Sequence, residues 1–363
     1  HAAPPRARRR APRNAAPAPR PWTGPRYNRR VSGSSIVIVS PALAAANNGN
    51  WQTARRWQLL LGARHAVRIV QHWPGALAAG DQLMLALQAR RSAESVQAWA
   101  RERGSRGLAV VLTGTDLYQD IAVDATARNS LDLAATLIVL QDHGLAALPA
   151  PLQARARVIY QSTTARATLP RTDHRLRAVM VGHLRAVKSP QTLFEAARLL
   201  APRTDILIDH IGEAGEGHWA QAARETEAAA PGYRWLGPLP HARTRQAIQR
   251  AHVLVHTSAM EGGAHVIMEA VRSGTPVLAS RVSGNLGMLG EDYEGYFPHG
   301  DAAALAGLLA RCRDEQVRPP QDPTNSLLTR LRRQCEARAP LFAPEAEQPA
   351  LPNLIDDLQD CPA

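Results

Sequence analysis

The sequence predicts an α/β protein with two Rossmann-like domains, each built on a parallel sheet, that face each other across a cleft. Short, continuous apolar runs recur along the chain, and such runs are typical of strands covered on both faces. They alternate with segments of helical length, which is the order found in doubly wound sheets. The pattern begins again near residue 165, so we expect two such domains in tandem.

The first domain is predicted over residues 34–165. It begins with the strand Ser35–Val39, and a polar loop at Asn47–Asn50 then leads into a helix at Trp51–Leu61. A further helix is predicted at Ser92–Arg103. The remaining apolar runs predict strands at His65–Val70, Asp81–Leu87, Leu108–Leu112, Thr136–Leu140 and Arg157–Tyr160.

The second domain is predicted over residues 166–322. Ligands of parallel sheets bind beyond the carboxyl ends of the strands, so we expect the functional residues in the loops that follow strands. Its strands are predicted at Arg177–Val181, Asp205–Ile211, Arg234–Leu236, His252–His256 and Pro276–Ser280. Its helices are predicted at Pro190–Leu200, Arg243–Arg250, Ile267–Ser273 and Asp301–Arg311.

The chain after the second domain is predicted to form one helix and a tail. A Pro-rich linker at Arg318–Pro323 precedes the helix at Asn325–Arg338. We expect residues 325–339 to pack back on the first domain. Residues 340–363 are Pro-rich and acidic, and they are predicted to be flexible.

The net charge of +12 divides into a basic tail and a nearly neutral fold. Nine arginines and no acid lie within residues 1–30, which leaves +3 for the rest of the chain. Residues 1–33 are predicted to be a disordered tail, because Arg and Pro bury little apolar surface. This division removes most of the argument for a specific nucleic-acid partner.

Composition also limits the compartment and the cofactors. No signal-like apolar region follows the arginines, and no stretch approaches the ~18 apolar residues that a membrane span needs. Cys312, Cys335 and Cys361 form no CxxC pair, which is typical of a reducing cytoplasm rather than of a metal or disulfide framework. We expect a cytoplasmic protein without a membrane span, a metal site or a tightly bound cofactor.

One Gly-Gly turn carries the most candidate chemistry. Gly262 and Gly263 open a predicted helix, and glycines let a phosphate approach the backbone N–H groups of a helix start. Glu269 is a candidate partner for a ribose diol, and Glu261 for a sugar hydroxyl. His265 lies four residues before Glu269 and so shares its helical face. The same residues also fit two ordinary surface acids beside a turn.

A second candidate segment follows the first strand of the second domain. Gly182 is followed by Arg185 and Lys188, a pair of cations that is suited to clamp a diphosphate. Cations at a helix start oppose the helix dipole, which favours a bound anion between them. A solvated cation pair fits the same spacing.

These two segments together resemble the retaining E-x7-E family of GT-B glycosyltransferases (glycosyltransferase family 4-like), which is related to sucrose and glycogen synthases. Glu261 and Glu269 have the E-x7-E spacing, and Gly182–Lys188 matches the Gly-x-x-Arg-x-x-Lys segment that precedes it. The resemblance covers residues 35–315. It implies the GT-B fold and a nucleotide-sugar donor bound to the second domain.

The resemblance also implies residue roles. Arg185 and Lys188 are implied on the diphosphate of the donor, and Glu269 on its ribose. Gly182, Gly262, Gly263 and His265 are implied near the donor. The UDP-sugar is thus implied as a co-substrate rather than as a bound cofactor.

A narrower resemblance is to the selenosugar synthases of selenoneine biosynthesis. This family is implied to join selenium from selenophosphate to C1 of the sugar of UDP-N-acetylglucosamine. Such a reaction makes UDP-N-acetylglucosamine and selenophosphate the expected partners. Four segments carry the resemblance: Gly49–Trp57, Thr113–Tyr118, Gly262–Ala270 and Ser283–Gly290.

The first domain offers candidates for an anionic acceptor. Gly49 closes the first βα loop, where backbone approaches a ligand, and it is assigned to the donor side. Asp116 is a candidate base or acceptor-orienting group, and a helix cap is the alternative role. The predicted acceptor-binding residues are Asn50, Thr53, Gln88, Arg90, Arg91 and Thr115.

Gln88 departs from the family pattern. Relatives are expected to have a His here, and Gln cannot take a proton near neutral pH. A hydroxyl acceptor would suffer from this loss, whereas a selenium anion is already deprotonated. Gln88 therefore fits either the selenium reaction or a weakened enzyme.

Three other functions are alternatives, and the sequence argues against some of them. A GT-B enzyme with a glycan, lipid or small-molecule hydroxyl acceptor would keep the same donor site. A nucleic-acid-binding protein would depend on residues 1–30 and show steep salt dependence. An NAD-dependent dehydrogenase would require G-x-G-x-x-G after the first strand, and the loop Asn47–Asn50 has a single Gly.

Overall fold

The computed structural model describes residues 33–44 and 48–360. The predicted Arg-rich tail lies, apart from Gly33, outside these residues. The described chain contains two six-stranded sheets whose strands all pair in parallel. The predicted fold class of two α/β domains with parallel sheets is confirmed.

The first sheet has the strand order β2-β1-β3-β4-β5-β6. The strand order reverses between β1 and β3, so the carboxyl ends of these two strands border the crevice where such sheets bind ligands. The buried strands are almost wholly apolar because helices cover both faces. The strands are β1 (Ser35–Val39), β2 (Ala66–Val70), β3 (Leu83–Leu87), β4 (Leu108–Leu112), β5 (Thr136–Val139) and β6 (Ala156–Val158).

Two apolar clusters lie on the two faces of this sheet. Trp57 is buried on one face and Trp99 on the other. A π-helical segment at Asp116–Asp120 leads directly into α3. The helices are α1 (Gly49–Leu61), α2 (Ala93–Arg103), α3 (Ile121–Val123), α4 (Ala125–Leu133), α5 (His143–Ala146) and α6 (Ala150–Gln153).

The second sheet has the order β12-β11-β10-β7-β8-β9. Its order reverses between β7 and β10, so the loops after these two strands border the crevice where such sheets bind ligands. Its strands are β7 (Leu176–Val181), β8 (Ile206–Ile211), β9 (Tyr233–Gly237), β10 (Val253–His256), β11 (Val277–Ser280) and β12 (Tyr296–Phe297).

The helices of the second domain enclose one apolar core. Pro190 at the first position of α7 has no N–H to leave unpaired, which suits a helix start. No helix in the described ranges is both long and apolar enough to cross a membrane. The helices are α7 (Pro190–Leu199), α8 (Gly217–Ala229), α9 (His241–Arg250), α10 (His265–Val271), α11 (Ser283–Leu289) and α12 (Ala302–Val317).

The C-terminal segments differ from the predicted arrangement. The helix α13 (Leu327–Arg338) packs on α10, α11 and α12, and its buried leucines belong to the core of the second domain. The prediction that residues 325–339 pack on the first domain is therefore wrong. The apolar positions of α13 face the core to which the preceding helix α12 already belongs.

The helix α14 (Pro344–Asp360) packs on α1 of the first domain instead. The prediction of a flexible tail from residue 340 is wrong for this segment. Residues 361–363 lie outside the described chain. The helix α14 packs on the first domain because it has an apolar stripe with helical spacing that covers the sheet. This stripe is formed by Leu351, Leu354, Ile355 and Leu358.

Candidate functional site

The carboxyl ends of the two sheets meet. The loop after β4 contacts the loop after β10, because Gly114 N lies within 2.7 Å of where a Cβ on Gly262 would be. The loops after β1, β3, β7 and β10 are those at the two points of strand reversal. These four loops hold most of the residues that the sequence singled out. The structure therefore brings the predicted donor and acceptor residues to one interface between the domains, which is called the seam and is lined by these loops.

Lys188 and Glu261 form an ion pair at this seam. Lys188 Nζ lies 2.5 Å from Glu261 Oε1. Lys188 ends a 3-10 turn after β7, and its carbonyl accepts a hydrogen bond of 2.7 Å from Thr257 Oγ1. Two loops that are distant in sequence are thereby tied together. Sequence reasoning placed both residues near one ligand but did not predict that they contact each other.

Glu261 is buried, and its charge is compensated by neighbours. Burial alone would raise the pKa of Glu261, but the Lys188 ammonium and His256 together hold it below its ordinary value. His256 Nε2 lies 3.1 Å from Glu261 Oε1. His256 is buried at the end of β10, and its ring reaches the site. The carboxylate is therefore ionised at neutral pH.

Glu269 lies on α10 and is held by two residues of α9. His241 Nε2 lies 2.6 Å from Glu269 Oε1, and Arg245 Nη1 lies 3.6 Å from the same oxygen. Sequence reasoning missed both His241 and Arg245. The available signal was position, because His241 follows the carboxyl end of β9 and starts a helix after Pro240.

His265 begins α10 one turn before Glu269. Burial, together with the nearby Arg56 charge, lowers the pKa of His265 to about 4. Its Nε2 is inaccessible and has no hydrogen-bond partner within the described residues. The ring is therefore neutral at pH 7 and retains an unused polar atom at the seam.

Arg185 is the exposed cation of the predicted diphosphate clamp. Its side chain makes no hydrogen bond or ion pair with the described part of the chain. Gly182 lies beside the aliphatic stem of Lys188, from which a Cβ would be 3.9 Å away. The two predicted cations therefore differ in the structure, since Lys188 is paired and Arg185 is available to a ligand.

Gly262 allows a backbone-to-backbone approach between the domains. A Cβ on Gly262 would lie 2.4 Å from the carbonyl carbon of Thr113, a distance that no side chain tolerates. Its neighbour Gly263 contacts Leu140, which follows β5. Both glycines of the turn thus serve the contact between domains, whether or not they also approach a ligand.

Asp116 has a different environment from the one expected of a base. It is fully buried, and its carboxylate accepts hydrogen bonds from the N–H groups of Ala89, Thr113 and Gly114 at 2.9–3.0 Å. Burial raises the pKa of Asp116 to about 6, although these backbone bonds oppose the rise. Asp116 thereby ties the loop after β3 to the loop after β4, and its role toward an acceptor stays a prediction.

The other residues of these loops form a hydrogen-bonded cluster. Gln88 has the left-handed φ of 69°, which costs about 1–3 kcal/mol for a non-glycine residue. Its Nε2 donates to Asp120 at 2.9 Å and to Thr115 Oγ1 at 3.5 Å, and its Oε1 accepts from the Arg91 N–H. Gln88 is buried by these contacts. Its amide orders the loop, which leaves the side chain little freedom to contact an acceptor.

Two arginines remain near this cluster. Arg90 and Arg91 are both exposed. Arg90 Nε lies 3.2 Å from Asp120 Oδ2, whereas the Arg91 side chain has no ion partner in the described ranges. An anion that enters here would meet one paired and one unpaired guanidinium.

The loop after β1 starts α1 at Gly49. Asn48 caps this helix by accepting a hydrogen bond from the Trp51 N–H. Gly49 has open space around it, and Asn50 is half-buried. Thr53 is buried and accepts a hydrogen bond of 2.7 Å from Gln161 Nε2, so its hydroxyl is internally bonded. The candidates of this loop with room for a ligand are therefore Gly49 and Asn50.

A buried carboxylate of α14 supports α1, and sequence reasoning missed it. Glu347 accepts hydrogen bonds from Trp57 Nε1 at 2.9 Å and from the N–H of Ser162 at 2.8 Å. Arg56 Nη1 lies 3.8 Å from Glu347 Oε2. The chain passes from one domain to the other near Ser162, so α14 joins the crossover to the first helix.

No group of three or more His, Cys, Asp or Glu within the described residues is arranged to hold a metal ion. The carboxylates of the site are instead paired with cations or backbone donors.

Comparison with known proteins shows what the second domain is similar to. Residues 161–323 match the family model of the glycosyl transferases group 1. Residues 161–323 are therefore called the group 1 segment, because they are similar to the group 1 glycosyl transferases. The group 1 segment contains the Lys188–Glu261 pair, and it contains Glu269 with its partners His241 and Arg245. A D-inositol 3-phosphate glycosyltransferase of Geodermatophilus obscurus is 33% identical over 164 residues, or 41% of this chain. The match spans about a third (36%) of that relative's length.

Solved structures extend the likeness to the whole fold. Sucrose-phosphate synthase from Thermosynechococcus elongatus has a TM-score of 0.68 at 18% identity, over 90% of this chain and 99% of its own. Anabaena HepE, solved with UDP-glucose, has a TM-score of 0.67 at 15% identity, over 90% and 100%. Pneumococcal GtfA, solved with UDP and GlcNAc, has a TM-score of 0.60 at 17% identity, over 77% and 58%. The predicted GT-B fold is confirmed.

Proposed function

We propose that the protein is a UDP-sugar-dependent glycosyltransferase that uses UDP-N-acetylglucosamine and selenophosphate to form a 1-seleno-sugar. The C1–O bond to the diphosphate breaks, a C1–Se bond forms and UDP leaves, while the phosphoryl group remains on selenium in this first product. The observation that carries the transferase activity is the geometry of the group 1 segment, in which Lys188, Glu261 and Glu269 surround one seam.

The donor half of the proposal is supported by charge placement. Arg185 is an exposed, unpaired cation, and Lys188 lies three residues further on. A diphosphate between them has its developing negative charge neutralised as the sugar leaves, which is an electrostatic form of catalysis. Glu261 then accepts from a hydroxyl of the sugar and Glu269 from the ribose. UDP is favoured as the nucleotide because HepE was solved with UDP-glucose and GtfA with UDP and GlcNAc.

The acceptor half is supported by the surroundings of Asp116 and by the identity of residue 88. Asp116 is enclosed by three backbone donors, and Gln88 has no basic atom. A hydroxyl acceptor relies on a base in the transition state, whereas the selenium of selenophosphate is already anionic. Arg90 and Arg91 supply positive charge for an anion at this loop. The four segments that resemble selenosugar synthases each follow a strand of one of the sheets.

A second candidate acceptor is a hydroxyl on a phosphorylated small molecule. It is favoured by the match to a D-inositol 3-phosphate glycosyltransferase, whose named acceptor also carries a phosphate. The donor site is the same in both proposals, so the acceptor decides between them.

An acceptor panel separates the candidates. The purified chain is incubated with UDP-N-acetylglucosamine and either selenophosphate, thiophosphate, inositol phosphate or a simple alcohol, and UDP release is measured. We expect release with selenophosphate and a product that contains selenium bound to the sugar by mass spectrometry. Preference for inositol phosphate, or release without acceptor preference, contradicts the selenium assignment. The absence of release with any sugar nucleotide contradicts the transferase.

A further inference from the structure

The carboxylate of Glu269 is held from one side by two residues of α9. His241 and Arg245 are four positions apart and therefore lie on the same face of this helix. His241 Nε2 lies 2.6 Å from Glu269 Oε1, which is the distance of a strong hydrogen bond to a charged acceptor. Arg245 Nη1 lies 3.6 Å from the same oxygen.

The two residues are anchored very differently. Arg245 is buried, and its guanidinium also donates to Thr163 Oγ1 at 2.8 Å and to the carbonyl of Thr164 at 3.0 Å. The His241 side chain is 57% exposed, and its contact with Glu269 is its one hydrogen bond within the described residues. Arg245 therefore stabilises the fold through several contacts. The His241 side chain, by contrast, has the orientation of Glu269 as its main structural effect.

Both contacts fall on Oε1 of Glu269. The other oxygen, Oε2, has no partner among the described residues and is therefore available to accept a hydrogen bond from a ligand. A ribose offers two adjacent hydroxyl donors, and a carboxylate recognises them only when its plane is fixed. Binding a freely rotating side chain would cost conformational entropy at the moment of contact. A second anchor on Oε1 removes part of that cost.

We propose that His241 is a positioning residue that orients Glu269 toward the ribose of the nucleotide and so sets the preference of the site for ribonucleotides over 2′-deoxyribonucleotides. This inference rests on the proposed function, in which Glu269 binds the ribose of UDP. It adds a residue that the sequence did not single out. The imidazole donates this hydrogen bond to Oε1 when a proton is on Nε2.

The test compares the affinities of UDP and 2′-deoxy-UDP by calorimetry. We expect the wild-type protein to bind UDP about 10-fold more tightly, which is the effect of one hydrogen bond to a charged group. His241→Ala should reduce this ratio to about 2-fold at an unchanged melting temperature. His241→Gln, which keeps an N–H donor, should restore part of the ratio. His218→Ala is the matched control, because His218 is a similarly exposed histidine of the same domain.

The outcomes separate the inference from the function on which it rests. A wild-type protein that binds neither nucleotide contradicts the proposed function and the inference together. A wild-type protein that prefers UDP, with the same ratio in His241→Ala, overturns the inference alone. A lower ratio in His241→Ala that is accompanied by a lower melting temperature and is not rescued by Gln also overturns it, because the role is then structural.

Discussion

Lys188 Nζ and Glu261 Oε1 are 2.5 Å apart, so the cation proposed for the diphosphate is paired with a carboxylate before any ligand binds. This pair joins the loop after β7 to the loop after β10. A ligand anion therefore competes with Glu261 for Lys188, while Arg185 has no such competitor among the described residues.

Glu261→Gln should separate catalysis from nucleotide binding. The change removes the carboxylate that holds Lys188, so the ammonium becomes free to bind the diphosphate and UDP affinity should be retained or increase. The turnover rate should fall about 100-fold, since the carboxylate that is proposed to contact the reacting sugar loses its charge. Calorimetry with UDP and the rate of UDP release measure the two effects. Glu216→Gln, an exposed acid of the same domain, is the control. Equal losses in affinity and rate would contradict this role.

Arg185→Ala should weaken UDP binding without changing stability. Its side chain is exposed and unpaired, so the melting temperature should stay within about 1 °C of the wild type. Loss of one charge-assisted contact predicts about 10-fold weaker UDP binding at low salt. Arg243→Ala removes a comparably exposed arginine from α9 and should have no effect. If both variants bind UDP as the wild type does, Arg185 does not contact the diphosphate.

Gly262→Ala should force the two domains apart. The new methyl group would overlap the backbone of Thr113, which cannot yield as a flexible side chain does. We expect UDP binding to persist, because the proposed donor residues lie within one domain. The transfer rate should fall at least about 10-fold, because a closed site is needed to exclude water and to align both substrates. Gly215→Ala, at a position with open space, is the control. A Gly262→Ala enzyme with normal turnover would falsify the closed arrangement.

Glu347→Ala should destabilise the first domain. The change leaves the N–H groups of Trp57 and Ser162 buried without an acceptor, a loss of about 2–4 kcal/mol in the free energy of unfolding. Denaturant unfolding measures it. Glu345→Ala, an exposed acid two residues earlier in the same helix, should be neutral. Equal stability of the two variants would show that the Glu347 contacts contribute nothing.

His265 makes stability depend on pH in the acid range. Burial lowers the pKa of His265 to about 4, below its ordinary value of 6.5. The unfolded chain therefore binds more protons between pH 6.5 and 4, and the free energy of unfolding falls as the pH is lowered through this window. Asp116 acts in the opposite direction, because its pKa is raised to about 6 and its contribution declines as the pH rises from 3.8.

The contribution of His265 to this pH dependence is measured by comparing the wild type with a variant. His265→Gln should flatten the loss of stability between pH 6.5 and 4 relative to the wild type, whereas His218→Gln should not. Chemical denaturation at a series of pH values gives both curves. Parallel curves for wild type and His265→Gln would show that the histidine titrates normally in the folded state.

The sequence predicted the buried strands well because parallel strands covered on both faces are continuous apolar runs. Ser35–Val39 and Leu108–Leu112 are predicted and observed with the same bounds. The two-residue strand β12 was missed because Tyr296–Phe297 is too short to show a pattern. The helix α14 was missed because Pro349 and Pro352 outweighed its apolar stripe. Both prolines are tolerated on a helix held by tertiary contacts.

The site was predicted in outline rather than in its pairings. The loops that follow strands identified Lys188, Glu261 and Glu269, since topology places such loops together. Periodicity carries no information about which of these side chains touch, so the Lys188–Glu261 pair was not foreseen. His241 and Glu269 lie on different helices and are brought together by packing alone. The sequence also does not reveal that three backbone donors surround Asp116.

The packing of α14 on the first domain affects how the chain folds during synthesis. The first domain is synthesised early, but part of its apolar surface stays uncovered until residues 344–360 leave the ribosome. The nascent protein therefore displays an open hydrophobic face on a nearly finished sheet throughout synthesis of the second domain, and this face is a site for chaperones or for aggregation. A first domain cut at residue 165 should be insoluble unless residues 344–360 are added in trans or fused to it.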